Sequence, residues 1–214
     1  LRRRPHTLDR LQACAAIGQG KLMRIYEELF SKRGFHTAQV LLTREGLHDR
    51  RRYVNAKNTL ERLLSLSIIP IINENDTIST HEINFGDNDI LAAQVATLIR
   101  ADCLILLSDI DGLYQTVGGK KEVFDVIEMI DADIRKHLFS KKSEKTRGGM
   151  NSKLDAAKRV MSAGIPMFIA NGKRKGVLND LMQGNSAGTL FFSGKGKTRS
   201  FKNWLAYSTD AAGM

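Results

Sequence analysis

Residues 68–114 constrain the fold more than any other part of this 214-residue chain. They begin with an apolar run rich in β-branched residues, 68–72, which is typical of a buried strand, and a second such run occupies 103–107. Between the two runs, apolar residues recur at helical spacing over 87–101. The segment therefore predicts a βαβ unit. A right-handed crossover would make its strands parallel and bring their carboxyl ends to one edge of a sheet.

Three groups of polar residues lie at the ends of these predicted elements. One group follows each strand, and the third opens the helix, where a single Asp or Asn would be enough to cap the first turn. Open α/β sheets bind ligands at the carboxyl ends of their strands, so we interpret the groups as ligand-binding, with an ordinary turn and helix capping as the structural alternatives. The groups are Asn73, Glu74, Asn75 and Asp76; Asp87, Asn88 and Asp89; and Ser108, Asp109, Asp111 and Gly112.

The rest of the chain continues the alternation of helices and strands. The pattern predicts an α/β fold, a three-layer αβα sandwich with a mainly parallel central sheet. With 42% hydrophobic residues and no Gly/Pro/Ser-rich linker, we expect one domain over residues 1–214. Further helices are predicted at 7–30, with Thr7 as its cap, and at 53–66, 131–139, 151–163 and 177–182; further strands at 37–42, 123–130, 165–170 and 190–192; and a turn-rich segment at 115–121.

The chain is basic, with a net charge of +10 and a pI of about 9.8. This charge suits nucleic acids and small anionic substrates equally well, but no aromatic ladder interleaves the basic runs, which makes nucleic-acid binding unlikely. Cys14 and Cys103 lie in apolar settings outside any CxxC pair, so we expect reduced core thiols. No apolar stretch has membrane-spanning length and no signal-peptide pattern is seen, so we expect a cytoplasmic protein without a membrane partner.

Residues 141–153, KKSEKTRGGMNSK, combine basic side chains, a glycine pair and the start of the helix predicted at 151–163. Glycine lets the backbone approach a ligand closely, and a helix N-terminus attracts phosphate. Lys153, in the predicted first turn, opposes the helix dipole unless an anion lies nearby. We interpret the segment as phosphate-binding, with a surface loop as the alternative. The GxSxG match at 184–188 lacks the strand–turn–helix context of a nucleophile elbow, and no P-loop or GxGxxG motif is present.

Several ordered motifs together resemble the glutamate 5-kinases of the amino acid kinase family. They are NENDT, FGDNDILAA, ADCLILLSDIDGLY and RGGMNSKLDAA, and the resemblance extends to AAIGQGKLMRIYEELF, RRYVNAKNTLERLL, AGIPMFIANG and GTLFF, which covers most of the chain. It implies ATP-dependent phosphorylation of the γ-carboxylate of L-glutamate, the first step of proline biosynthesis. The alternatives are another enzyme of the family, acting on acetylglutamate, aspartate or a nucleoside monophosphate, and a non-catalytic regulatory or RNA-binding remnant.

The resemblance also implies roles for individual residues. Lys153 would neutralise charge on the transferring phosphoryl group, and Asp89 would organise the catalytic lysines. Glutamate would be bound by Asp76 and Asn88, with Asn73 and Asp87 nearby. The nucleotide would be bound by Ser108, Asp109, Arg147, Gly148, Gly149, Met150, Asn151, Ser152 and Lys153.

The implied co-substrate is ATP with Mg²⁺, whose protein ligands the sequence leaves open. A homo-oligomer, either a dimer or a tetramer, and feedback inhibition by proline are also implied. The family pattern begins with a strand that carries a lysine and a Gly/Ser-rich turn, and this sequence opens further along that pattern. We therefore expect an amino-terminally incomplete kinase domain without the PUA-type accessory domain that many members carry at the carboxyl end.

Overall fold

The computed structural model describes residues 7–78, 87–117, 120–131, 134 and 144–194. The chain divides into two compact units, Leu1–Leu91 and Ala92–Met214. The expectation of one domain stays a prediction. None of the described helices is long and apolar enough to cross a membrane.

In the first unit, two helices accompany a two-stranded parallel sheet. The elements are α1 (Leu8–Ser31), β1 (His36–Leu42), a short 3₁₀ turn (Gly46–His48), α2 (Arg50–Ser65) and β2 (Ile68–Glu74). β1 and β2 pair along their full length, from His36 opposite Ile68 to Leu42 opposite Glu74. The polar residues Asn73 and Glu74 are therefore the last residues of β2, at the carboxyl end of the parallel pair.

A local capping signal accounts for the start of α2 but not for the start of α1. Asp49 precedes α2, and its Oδ1 accepts a hydrogen bond from the backbone N–H of Arg52 at 2.9 Å, which satisfies one of the free donors of the first turn. Thr7 occupies the corresponding position before α1, but its side chain makes no capping hydrogen bond to that helix. The predicted start of α1 is confirmed, whereas side-chain capping by Thr7 is wrong.

A third helix, α3 (Asp87–Leu98), precedes a mixed four-stranded sheet in the second unit. The following elements are β3 (Leu104–Ser108), β4 (Tyr114–Val117), β5 (Lys120–Val123), β6 (Val126–Ile127), α4 (Glu144–Ser162), β7 (Met167–Asn171), α5 (Val177–Met182) and β8 (Thr189–Phe191). The sheet order is β3-β7-β8-β6, in which β7 and β8 are antiparallel and the other two pairs are parallel. β4 and β5 form a separate antiparallel hairpin.

The second unit is organised around β7, which is buried along almost its whole length. A strand covered on both faces carries a continuous apolar run, and this explains why MFIA lacks the polar alternation of a half-exposed strand. Phe168 and Ala170 pack in a cluster with Val177 and Leu181 of α5 and with Leu190 of β8. This packing fixes the carboxyl ends of β3 and β7 side by side, with Ser108 opposite Asn171.

The α/β class with a mainly parallel sheet is confirmed, but three details of the prediction are wrong. β2 pairs with β1 and β3 pairs with β7, so the described pairing does not give the two polar clusters one shared sheet edge. The segment 115–121, predicted as turn-rich, forms most of the hairpin β4–β5. The helix predicted to begin at residue 151 begins at Glu144. The helix predicted at 131–139 lies mostly outside the described residues.

Candidate functional site

The structure brings two of the predicted substrate-binding residues into direct contact in the first unit. Nδ2 of Asn88, in the first turn of α3, donates a hydrogen bond to Oδ1 of Asn73 at 3.1 Å. The same oxygen accepts from the backbone N–H of Glu74 at 3.0 Å, and Nδ2 of Asn73 donates to Oε1 of Gln19 at 2.9 Å. Asn73 is thus oriented from both ends of its amide, whereas Asn88 is exposed.

Next to this amide pair, a cavity of about 360 Å³ opens at the carboxyl ends of β1 and β2. Its volume falls at the lower end of the range of about 300–1,000 Å³ that is usual for small-molecule sites. One predicted site residue, Asp76, is in its wall. The lining residues are Ala15, Ala16, Gln19, Gly20, Gln39, Leu41, Glu74, Asn75, Asp76 and Thr77.

Two polar atoms of residues in this wall are buried and lack a hydrogen-bond partner among the described residues: Nε2 of Gln19 and Oε2 of Glu74. Burial raises the pKa of the Glu74 carboxyl above its ordinary value, and the hydrogen bond from the backbone N–H of Arg44 opposes this shift. Buried polar groups are almost always paired in native proteins, so an unpaired donor and an unpaired acceptor beside one cavity suggest a polar ligand.

The sequence analysis placed Glu74 in a ligand-binding group without giving it an individual role, and it did not assign Gln19 to the site. Glu74 stands inside the NEND run, and its position at the end of β2 was the available signal. Gln19 lies on α1, 54 residues before Asn73, and no local pattern in the sequence connects the two. Asp89 lies in the first turn of α3. Asp87 begins that helix, but its side chain is outside the described residues.

In the second unit, Ser108 and Asp109 lie where the sequence placed them, at the carboxyl end of β3. Oγ of Ser108 donates to Oδ1 of Asp109 at 3.3 Å, and the backbone oxygen of Ser108 accepts from the N–H of Gly172 at 2.8 Å. Asp109 is exposed. The pair therefore presents a hydroxyl and a carboxylate at the edge of the sheet.

The segment predicted to bind phosphate has a different local structure from the one expected. Because α4 begins at Glu144, Gly148 and Gly149 lie inside a helix, and Lys153 lies in its third turn rather than its first. The helix-dipole argument for an anion beside Lys153 therefore loses its basis. Arg147 and Gly148 belong to α4, but the side-chain environment of residues 144–148 is outside the described part of the chain.

The remaining residues of this segment are described in more detail. Met150 is buried, with 6% of its surface exposed, and Oγ of Ser152 donates to the backbone oxygen of Gly149 at 3.0 Å. Asn151 and Lys153 are half-buried. Met150 therefore serves the packing of α4, while Asn151 and Lys153 keep part of their surface accessible.

A hydrogen-bond network lies beside Ser108 and Asp109, around Asp111, which the sequence analysis placed in a ligand-binding group without an individual role. Asp111 accepts from Nδ2 of Asn171 and from the hydroxyl of Tyr114, each at 2.8 Å. These two bonds and nearby Arg174, in that order of effect, lower the pKa of the Asp111 carboxyl, and Asp111 in turn raises the pKa of Tyr114. The sequence signal for these two residues was again their position at the end of a strand. Asn171 is the last residue of β7, and Asp111 follows β3 closely.

A second cavity, of about 180 Å³, adjoins this network. On one of its walls, Oγ of Ser186 donates to Oδ1 of Asp125 at 2.6 Å. Its lining residues are Asp111, Val123, Asp125, Asn171, Arg174, Ser186, Ala187 and Gly188. Of these lining residues, the sequence analysis had placed only Asp111 in a ligand-binding group.

The described residues contain no group of three or more His, Cys, Asp or Glu side chains that could hold a metal ion. Both cysteines are free thiols, and burial raises the pKa of Cys103 to about 12. A thiol with so high a pKa is a poor nucleophile and a poor metal ligand at neutral pH. Within this part of the chain, the candidate chemistry therefore rests on amides, carboxylates, hydroxyls and lysine.

Comparison with known families gives one match that covers most of the chain. Residues 2–171 match the model of the amino acid kinase family. Curated relatives that match this chain include glutamate 5-kinases. The one from Thermoanaerobacter sp. strain X514 is 44% identical over 216 residues, which cover 100% of this chain and 58% of the relative. The one from Nitrosospira multiformis is 46% identical over 96% of this chain and 56% of the relative.

Solved structures confirm the fold at low sequence identity. The isopentenyl phosphate kinase of T. acidophilum superposes with a TM-score of 0.57 at 14% identity, over 84% of this chain and 70% of that one. A UMP kinase from Bacillus anthracis superposes with a TM-score of 0.51, also at 14% identity, over 77% and 61% of the two chains. At this level of identity the likeness concerns the arrangement of helices and strands alone.

Proposed function

We propose that this chain, which belongs to the amino acid kinase family, carries out the ATP-dependent phosphorylation of the γ-carboxylate of L-glutamate, the first step of proline biosynthesis. The observation that carries the proposal is its 44% identity, over its whole length, to a glutamate 5-kinase. The chain spans about 58% of the length of that relative, so the activity of the whole protein is part of the proposal.

On the substrate side, the proposed ligands are Asp76, Asn88, Asn73 and Asp87. Glutamate carries an ammonium group and two carboxylates, and amides and carboxylates offer the donors and acceptors that such a ligand needs. Asn73 is held by three hydrogen bonds, so it can present Asn88 in a fixed orientation. The unpaired donor of Gln19 and acceptor of Glu74 beside the cavity support a ligand with both positive and negative groups.

On the nucleotide side, Ser108 and Asp109 would contact ATP together with residues 147–153. In this proposal Lys153 compensates negative charge that develops on the transferring phosphoryl group, and Asp89 orients charged partners. Mg²⁺ would arrive with ATP, because hard cations prefer the oxygen ligands that phosphates supply and the described residues offer no cluster of three metal-binding side chains.

The proposed chemistry needs few catalytic groups. The γ-carboxylate of glutamate is ionised at neutral pH and is already a nucleophile, so no general base is required. Phosphoryl transfer then depends on in-line alignment and on neutralisation of charge. The half-buried Lys153 and the oriented amide pair of Asn73 and Asn88 supply groups suited to these two tasks.

Assembly and regulation belong to the same proposal. We infer a homo-oligomer, a dimer or a tetramer, and this is supported by large apolar side chains that α1 leaves exposed, including Ile17 at 67%, Ile25 at 54% and Leu29 at 51%. We also propose proline as a feedback inhibitor and a cytoplasmic location, both of which fit an enzyme of proline biosynthesis. The alternatives, kinases for acetylglutamate, aspartate or a nucleoside monophosphate and a basic nucleic-acid binder, are not favoured by the relatives.

The test is to trap γ-glutamyl phosphate with hydroxylamine after incubating the chain with ATP, Mg²⁺ and glutamate. Acetylglutamate and aspartate are tested in the same assay, and UMP is tested by the release of ADP, because hydroxylamine traps acyl phosphates only. We expect product with glutamate and no product with the other three compounds. Lys153→Met should lower kcat by roughly 10²-fold or more, because it removes a charge that acts in the transition state. Lys158→Met, on the same helix at an exposed position, is the matched control and should keep the wild-type rate.

A second protein decides the case in which this chain gives no product. It is a chimera in which the part of the Thermoanaerobacter relative that this chain does not cover is joined to this chain. Product from the chimera, and its loss on Lys153→Met, would support the proposal. If neither protein phosphorylates glutamate, the proposed function is wrong, and salt-sensitive binding of RNA should then be measured as the competing explanation.

A further inference from the structure

The loop between β3 and β4 is tied to the end of β7 through one carboxylate. Oδ1 of Asp111 accepts from Nδ2 of Asn171 at 2.8 Å, and Oδ2 accepts from the hydroxyl of Tyr114, also at 2.8 Å. Asn171 ends β7 and Tyr114 begins β4, so the two oxygens of one side chain join two separate elements. Each distance is typical of a well-formed hydrogen bond.

The Asn171 donor is itself held in place, and so are the two ends of the loop. Oδ1 of Asn171 accepts from the backbone N–H of Lys173 at 3.0 Å, which leaves its Nδ2 directed at Asp111. The backbone N–H of Gly172 donates to the oxygen of Ser108 at 2.8 Å, so the turn after β7 also holds the first residue of the loop. At the other end of the loop, the N–H of Leu113 donates to the buried Oγ1 of Thr189 at 2.8 Å.

Two of the residues that the proposed function assigns to the nucleotide lie here, Ser108 at the end of β3 and Asp109 in the loop itself. Asp109 is exposed, and its Oδ1 accepts a hydrogen bond of 3.3 Å from the hydroxyl of Ser108, its neighbour in the chain. That contact cannot by itself fix the path of the loop. The bonds that reach other elements come from Asp111, Leu113 and the backbone of Ser108, and Asp111 is the one whose side chain receives two of them.

We propose that Asp111 is a positioning residue, whose carboxylate, held by Asn171 and Tyr114, keeps the segment 108–113 in the conformation in which Ser108 and Asp109 contact ATP. This inference rests on the proposed nucleotide-binding role of Ser108 and Asp109. Binding groups held by a second layer of hydrogen bonds lose less conformational freedom when the ligand arrives, so loss of Asp111 weakens nucleotide binding without removing a nucleotide contact.

The ionised state of Asp111 strengthens this hold. The hydrogen bonds from Asn171 and Tyr114 and the nearby Arg174 lower the pKa of Asp111, so the carboxylate is charged at neutral pH. Hydrogen bonds to a charged acceptor are shorter and stronger than those between neutral groups. Arg174 is also paired with Asp180 at 2.6 Å, so its charge is shared between two carboxylates.

The test measures the Kd of MgATP by titration calorimetry, and the melting temperature, for the whole chain and four variants. Asp111→Ala removes the acceptor. Asn171→Asp places two carboxylates 2.8 Å apart, and the double variant D111N/N171D restores a donor and an acceptor in exchanged positions. Asp125→Ala is the matched control, because Asp125 accepts a comparable hydrogen bond from Ser186 at 2.6 Å and lies on a different segment of the same unit.

We expect Asp111→Ala and Asn171→Asp each to weaken MgATP binding by about tenfold, in line with the loss of hydrogen bonds to a charged group. D111N/N171D should recover most of the affinity. Asp125→Ala should lower the melting temperature about as much as Asp111→Ala and leave the Kd of MgATP unchanged. This pattern would separate a role in nucleotide binding from a role in stability.

Three results would overturn the inference. One is a wild-type Kd for Asp111→Ala at a temperature where both proteins are folded. Another is a double variant that binds as weakly as Asn171→Asp, and a third is an equal loss of affinity in Asp125→Ala. If the unaltered chain fails to bind MgATP at all, the proposed nucleotide-binding role of Ser108 and Asp109 falls together with the inference, and this outcome is distinct from the other three.

Discussion

Gly149→Ala separates two reasons for the glycine pair in RGGMNSK. Gly149 lies inside α4, and an added Cβ would meet nothing within 4 Å. Glycine in a helix interior costs about 0.8–1.0 kcal/mol relative to alanine, since it loses more backbone freedom on folding. The substitution should therefore raise the free energy of unfolding by about that amount, which for a chain of this size is roughly 2–4 °C in melting temperature.

If residues 147–153 bind phosphate, the same substitution should weaken the binding of MgATP. A methyl group at residue 149 would stand where the backbone approaches the ligand, and we expect the Kd of MgATP to rise by about tenfold, a change of about 1.4 kcal/mol. Gly18→Ala is the control. Gly18 lies inside α1 and also has nothing within 4 Å of its Cβ position, so it should give the same gain in stability with no change in ATP binding.

Calorimetric melting and titration with MgATP measure the two effects separately. A melting temperature that falls in Gly149→Ala would refute the helical placement of Gly149 in open space. A melting temperature that rises while the Kd of MgATP stays at the wild-type value would refute the idea that the glycine serves phosphate binding.

Two further predictions concern single contacts in each unit. Thr189→Val should lower the free energy of unfolding by about 1–3 kcal/mol, measured by urea titration. The reason is that the side chain is fully buried and its Oγ1 accepts a hydrogen bond from the N–H of Leu113 at 2.8 Å. An equal loss in Thr189→Ser, which keeps the hydroxyl, would contradict this reason. Burial raises the pKa of Glu74, so its contribution to stability is present below the unfolded pKa and is lost as pH rises through the folded pKa. Glu74→Gln should therefore gain stability relative to wild type as pH rises above about 4.5, whereas a difference that is flat with pH, or equally steep in the exposed control Glu28→Gln, would contradict it.

The sequence predicted the elements whose apolar pattern is strong and local. The helix predicted at 177–182 has those bounds in the structure, and the strand predicted at 37–42 is His36–Leu42. The hairpin β4–β5 was missed because its second strand begins with Lys120, Lys121 and Glu122, all exposed and charged. Charged residues in series resemble a turn, and the cross-strand pairing that makes them a strand has no counterpart in residue composition.

Candidate site residues were predictable at the end of a strand and unpredictable where they come from elsewhere in the chain. Asn73, Asp76 and Asp109 became candidates because polar residues at the end of an apolar run are informative. Gln19 was missed, since its bond to Asn73 joins residues 54 positions apart. The pairing of β1 with β2 and of β3 with β7 was equally hidden, because apolar runs of this kind do not specify their partners.

The wrong start of α4 shows how tertiary packing overrides propensity. Two adjacent glycines disfavour a helix, yet the helix runs through them, and beyond them Met150, Leu154 and Ala157 are buried on one face. Burial of these side chains offsets the cost of the glycines. It does not explain why Gly149 is a glycine, since alanine would fit there. Gly188 differs, because a Cβ there would lie 2.3 Å from the backbone oxygen of Ile169. Packing alone therefore accounts for Gly188, whereas Gly149 lowers stability without a steric reason, and ligand binding is the explanation that Gly149→Ala tests.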